Sequence, residues 1–172
     1  MKQIEARFSF RPLNEQIQVD KMFNYLLVAA LLPAMTLAAV DFIPCDNNAP
    51  VAESLTVNDC SGSVCQLTVG EPLRAVASGI VSPIDSATAE AHIVVRVGGL
   101  NMGYEMPPEY EDACTNGIEG GCPLTAGTAF TYIFDSEVLD VPARGTTAEI
   151  EVGLTGDGDV ALGCLKFNVV VN

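Results

Sequence analysis

Six cysteines carry the most definite chemistry in this 172-residue chain: Cys45, Cys60, Cys65, Cys114, Cys122 and Cys164. An even count raises a disulfide framework, and six thiols allow fifteen pairings, which spacing alone does not select. Cys60 and Cys65 enclose the short loop SGSV, and Cys114 and Cys122 enclose TNGIEGG. Small glycine-bearing loops close easily, and Cys45 would then be left to reach Cys164 across most of the chain. A bridge over so long a loop would contribute about 4–5 kcal/mol if chain entropy alone set its worth. Zinc is the competing use of cysteine, but neither Cys-x4-Cys nor Cys-x7-Cys is the usual ligand pair.

The other reactive groups are sparse. His92 is the single histidine, so a histidine-rich metal site is excluded. It alternates with Glu90 and Arg96 on a polar face, which reads as a solvated strand residue rather than a general base held against a partner in a cleft. G-x-S-x-G is absent. Glu105, Glu109, Glu111 and Asp112 read as a solvated loop. Asp157-Gly158-Asp159 lacks the further ligands of a calcium loop and reads as a turn. No catalytic constellation and no cofactor is implied. The formal net charge is −14, which argues against nucleic acid and against docking by charge on any polyanion.

The elements that would position these residues are strands. Alternation with a period of two runs through Ala87–Gly98, Thr128–Leu139, Thr146–Thr155 and Ala161–Val171, and Glu53–Val57, Val64–Val69 and Pro72–Ser82 are further candidates earlier in the chain. Phe130, Tyr132 and Phe134 share one face. Prolines stand at the ends of these runs, where a missing N–H does least harm. Gly156-Asp157-Gly158-Asp159 is a hairpin signal between the last two strands. About seven strands with one apolar face each imply two antiparallel sheets packed face to face, an all-β sandwich.

The first 39 residues read differently. Tyr25 to Ala39 is the run YLLVAALLPAMTLAA, preceded by Lys21 and closed by small residues. That pattern predicts a secretory signal peptide cleaved after Ala38 or Ala39, with an unusually long leading segment or a true start at Met22. A membrane span would need about 20 apolar residues without an interior proline, and Pro33 interrupts this run. From Val40 to Asn172 there are 19 acidic and four basic residues (22 less three, and 8 less four), and all six cysteines. Disulfides suit a secreted chain.

Several local motifs occur together in that portion: Asp59-Cys60 followed by Cys65-Gln-Leu, Asp112-Ala113-Cys114, Cys122-Pro123-Leu124 with Gly127 and Tyr132 after it, and Gly163-Cys164 near the end. With the order and spacing of the six cysteines, they resemble the ML lipid-recognition family over Val40–Asn172. Within it they resemble the Niemann–Pick C type-two sterol-transfer proteins, in an arthropod-like form. The resemblance implies an immunoglobulin-like β-sandwich with disulfides Cys45–Cys164, Cys60–Cys65 and Cys114–Cys122. It implies a lipid held between the sheets and a pocket mouth at Met106, Val138 and Val141. Met106 and Val141 stand where the sterol carriers have a phenylalanine and a tyrosine, and Val138 matches. A sterol or other hydrophobic small molecule is thus the implied partner, with a membrane sterol transporter as the implied recipient. Innate-immune recognition of a lipopolysaccharide-type ligand and chemosensory carriage are the alternatives. With four basic residues against 19 acidic ones, capture of a phosphorylated ligand is disfavoured.

Ala75, Ala77, Gly79, Ala89, Ala91 and Ala148 are small residues expected to point inward. Small inward side chains leave room between sheets for an apolar pocket. Tyr104, Met106, Phe130, Tyr132, Val138 and Val141 are the residues expected to touch the ligand. No Asn-x-Ser/Thr sequon occurs, so a secreted, extracellular monomer is expected rather than a lysosomal protein addressed by glycans.

Overall fold

Residues 39–138 and 144–172 are described in a computed structural model of the chain. The expected leader and Val141 lie outside the described residues. Among the described residues nine strands occur in chain order: β1 Ile43–Pro44, β2 Ser54–Val57, β3 Cys65–Leu67, β4 Leu73–Val81, β5 Ala89–Val97, β6 Leu100–Asn101, β7 Ala129–Ser136, β8 Thr146–Gly156 and β9 Ala161–Val171. Seven of them coincide with the runs of period-two alternation. β1 and β6, of two residues each, are too short to show a period.

The strands form a sandwich. The larger sheet has the order β1-β9-β8-β5-β6, with β3 pairing β9 in parallel beside β1, and the smaller has the order β2-β4-β7. β8 and β9 make the hairpin foreseen at Gly156–Asp159. All three disulfides are those implied by the resemblance, and Cys45–Cys164 spans 119 residues of sequence. It ties the chain beside β1 to the middle of β9. The one grouping of metal-ligating side chains among the described residues is Cys45, Cys164 and Glu151, and its two sulfurs are bonded to each other.

Alternation determines which side chains meet in the middle. On β8, Ala148, Ile150 and Leu154 are buried, and on β9 Leu165, Phe167, Val169 and Val171 are buried. Register aligns these residues into transverse rows: Ile93 with Val152 and Leu165, and Val95 with Ile150 and Phe167. The small sheet answers with the rows Leu55–Ala77–Tyr132 and Val57–Ala75–Phe134.

The β4–β7 ladder slips between Ala77 and Ile80. Gly79 sits in this bulge with φ +75°, and a Cβ there would meet the Glu53 side chain at 2.6 Å. The extra residue changes the phase of the strand. Gly79 therefore lies against the exposed Glu53, not inward with Ala75 and Ala77 as its place in the alternation suggests, and Ile80 is the buried residue.

The acidic segment expected as loop contains two single helical turns, α1 Pro108–Glu111 and α2 Ala113–Asn116. Pro108 stands in the first turn, where a missing N–H costs nothing. Asp112 caps α2, its carboxylate accepting from the Thr115 N–H at 3.2 Å and the Thr115 hydroxyl at 2.7 Å. These bonds hold the Asp112 carboxyl below its ordinary pKa, the Thr115 hydroxyl being the larger cause. The segment bridges the two sheets along one side. Asp112 pairs with Glu90 of β5, and Ile118 pairs with Tyr132 of β7.

Candidate lipid-binding site

β4 runs down the centre of the small sheet and presents alanine where its neighbours present large side chains. Ala75 lies between Val57 and Phe134, and Ala77 between Leu55 and Tyr132. A hollow opens over these two alanines. The small sheet lines it with Leu55, Leu73, Ala75, Ala77, Tyr132 and Phe134. The large sheet lines it with Ile93, Ile150, Val152, Leu165 and Phe167. Its volume is 50 Å³, against about 30 Å³ for the share of one water in the liquid. Small-molecule sites run to roughly 300 Å³ and more. A lipid chain or ring system therefore enters only as the sheets or side chains yield. An unfilled apolar void of this size costs about 1 kcal/mol, so there is a driving force for filling it.

Tyr132 is the polar exception in the lining. Burial, and secondarily the neighbouring Tyr104, push its phenol above the ordinary value, so the hydroxyl stays protonated at physiological pH and remains a donor. The ring is seated against the end of α2. A Cβ on Gly117 would meet Tyr132 Cε2 at 2.5 Å, and the Ile133 N–H donates to the Gly117 carbonyl at 2.7 Å. Tyr110 of α1 packs its ring on Phe134, with centroids 5.0 Å apart and planes at 52°, a tilted contact of the kind aromatic rings favour.

A much larger depression lies outside β5. Its volume is 610 Å³, and Ala87 to Ile93 line it on one side, with Tyr104, Met106, Pro108, Glu111, Asp112 and Cys114 opposite. Ile93 belongs to both this groove and the inner hollow. A second depression of 330 Å³ is lined by Met102, Gly103, Tyr104, Glu105, Pro107, Ser136 and Val138. Tyr104 is common to the two surface depressions.

The expected contact residues are thus distributed. Tyr132 lines the hollow, Met106 lines the outer groove, Val138 lines the second depression and is 60% exposed, and Tyr104 joins the last two. Phe130 is buried on the same face as Tyr132 but stands level with Ile80, beyond the hollow's lining. Ile93, Val152, Leu165 and Phe167 were legible as inward strand residues, but their meeting around one hollow follows from register. Tyr110 carried no sequence signal.

Polar bonds tie the groove's first residues to the turn between β8 and β9. The Asp157 carboxylate accepts from the Thr88 hydroxyl at 2.5 Å and the Ala87 N–H at 2.7 Å, and the Asp157 N–H donates to the buried Ser86 hydroxyl at 2.8 Å. The Thr88 bond first, then that from Ala87, holds the Asp157 carboxyl below its ordinary range. His92 is exposed and lies across Gly153 of β8, with no room for a Cβ beneath its ring.

A solved structure shares this architecture. A Niemann–Pick type C2 protein from the Japanese carpenter ant, known from a crystal structure, superimposes with a TM-score of 0.64 at 16% identity, over 77% of this chain and 99% of that one. Chicken MD-1, crystallised in complex with lipid IVa, gives a TM-score of 0.49 at 15% identity, over 74% of this chain and 85% of the other. No curated protein sequence matches. The family profile of the ML domain matches residues 39–171, nearly the whole of the sandwich and its three disulfides, and the chain belongs to the ML-domain family.

Proposed function

We propose that the protein is a secreted, non-enzymatic carrier that binds a small hydrophobic lipid between its two sheets, a sterol being one candidate. The observation that carries this reading is the apolar hollow over Ala75 and Ala77, lined by side chains of both sheets. Its likeness in fold to the carpenter-ant protein supports the same reading. A guest that buries apolar surface there gains about 25 cal/mol per Å² removed from water. Binding and release need no bond-making, so mechanism reduces to parting the sheets, burying the guest and closing. Tyr132 supplies a hydrogen-bond donor at the wall, and Tyr104 stands where the surface depressions meet. Secretion follows from the apolar run at residues 25–39, and delivery to a membrane transporter belongs to the same proposal.

Native mass spectrometry of the protein recovered from culture medium, followed by organic extraction, tests it. The expected result is an added mass that extraction converts to a sterol, fatty alcohol, terpenoid or similar lipid. An unliganded mass, together with no uptake of a fluorescent sterol or of N-phenyl-1-naphthylamine, would overturn it.

A further inference from the structure

The groove that adjoins the hollow is lined by acids, and the inference drawn from them about the guest rests on the carrier reading above. Ile93 lines both the outer groove and the hollow, and Tyr104 lines both surface depressions. Through Ile93 the groove adjoins the hollow, and through Tyr104 it adjoins the second depression. Around them stand Glu90, Glu111 and Asp112 in the groove and Glu105 in the second depression. Among the described residues, neither depression is lined by a lysine or arginine. The cations are engaged elsewhere. Arg74 pairs with Asp135 at 2.8 Å, Arg96 with Glu151 at 2.7 Å, and Lys166 with Asp46 at 2.5 Å. Arg144 lines neither depression.

We infer that this mouth sorts guests by charge, admitting an uncharged hydrophobic molecule that carries a hydroxyl or carbonyl and turning away the carboxylate, sulfate or phosphate form of the same skeleton. An anionic head would have to shed water among four like charges, with no cation to offset the loss. A hydroxyl both donates and accepts, so it can donate to the acceptor-only carboxylates of the rim or accept from the phenolic O–H of Tyr132 inside the hollow. A carboxylate can use only the phenols. The apolar remainder of the guest is what the hollow rewards, and it is the same in both forms.

The test uses the full secreted chain loaded with N-phenyl-1-naphthylamine, displaced at about pH 7.5 by oleyl alcohol and by oleate, two guests with one hydrocarbon chain and different heads. The expected result is displacement by the alcohol at about tenfold lower concentration at low salt, with the gap narrowing in high salt. In the variant carrying Glu90→Gln, Glu105→Gln and Glu111→Gln, three exposed positions, oleate should gain several-fold while the alcohol changes little. Equal displacement by the two guests, or a gap that the triple variant leaves intact, would overturn the charge inference and leave the carrier reading standing. A probe that never binds the wild-type chain would overturn both.

Discussion

The hollow between the sheets and the groove outside β5 share the side chain of Ile93, yet they divide the requirements of a binding site between them. The hollow has the right chemistry and too little space: eleven side chains, aliphatic or aromatic, around 50 Å³. The groove has the space, 610 Å³, and a rim of carboxylates. A closed apolar seam is what sheet packing produces by default, because void costs free energy. An open acidic trough persists because each of its charges remains in water. The contrast teaches that capacity here is latent: it comes from two alanines in a central strand, and a guest must realise it by moving the walls. Under the proposed carrier reading, affinity would come from the hollow, and access and selection from the groove.

Filling the hollow should produce the largest effect. Ala75→Leu combined with Ala77→Leu adds six carbons to the small sheet's middle strand, costs about 1–3 kcal/mol through overpacking, and should reduce lipid uptake at least tenfold. Probe titration alongside thermal denaturation measures both, and unchanged uptake would remove the hollow from the argument. Gly117→Ala comes next. Its Cβ would displace the Tyr132 ring, lowering stability by about 1–3 kcal/mol and weakening probe binding several-fold. Full retention of binding would show that Tyr132 is not part of the wall that matters.

Val138→Asp probes the other region. Val138 is mostly exposed at the second depression, so the new charge should slow uptake severalfold in stopped-flow traces while the Kd moves by less than about threefold. A collapse of affinity would instead place Val138 within the bound complex. The smallest effect concerns the turn between β8 and β9, where it bonds to the end of the groove's wall. Asp157 has a native pKa below its ordinary 3.8, so its bonds to Thr88 and Ala87 contribute stability that is full above the ordinary value. That contribution is lost as pH falls through the depressed native one. Asp157→Asn should flatten the acid limb of the stability profile slightly and leave probe binding at neutral pH unchanged.

Much of this was readable before any coordinates. The alternation in β5, β8 and β9 placed Ile93, Val152, Leu165 and Phe167 on inner faces, because a strand sends successive side chains to opposite sides. The same rule failed at Gly79, where one bulged residue reverses the phase of β4, and phase is a property of pairing rather than of composition. α1 and α2 escaped notice because a single turn is shorter than the period that would reveal it, although Pro108 and the Asp112 cap were present as local signals.

The chain's order of residues therefore determined the sandwich, the two sets of inward faces, the cysteines available for bridging and the preponderance of carboxylates. Only the tertiary structure decided that Ala75 and Ala77 lie opposite Ile93, Val152 and Leu165. Only it decided that Tyr132 rests on Gly117, and that the acids at residues 90 and 111 line one groove while that at 105 lines the depression that shares Tyr104 with it. Side-chain alternation is a local consequence of backbone geometry, whereas adjacency across two sheets depends on register and on the segment that bridges them, and those emerge when distant strands pack together.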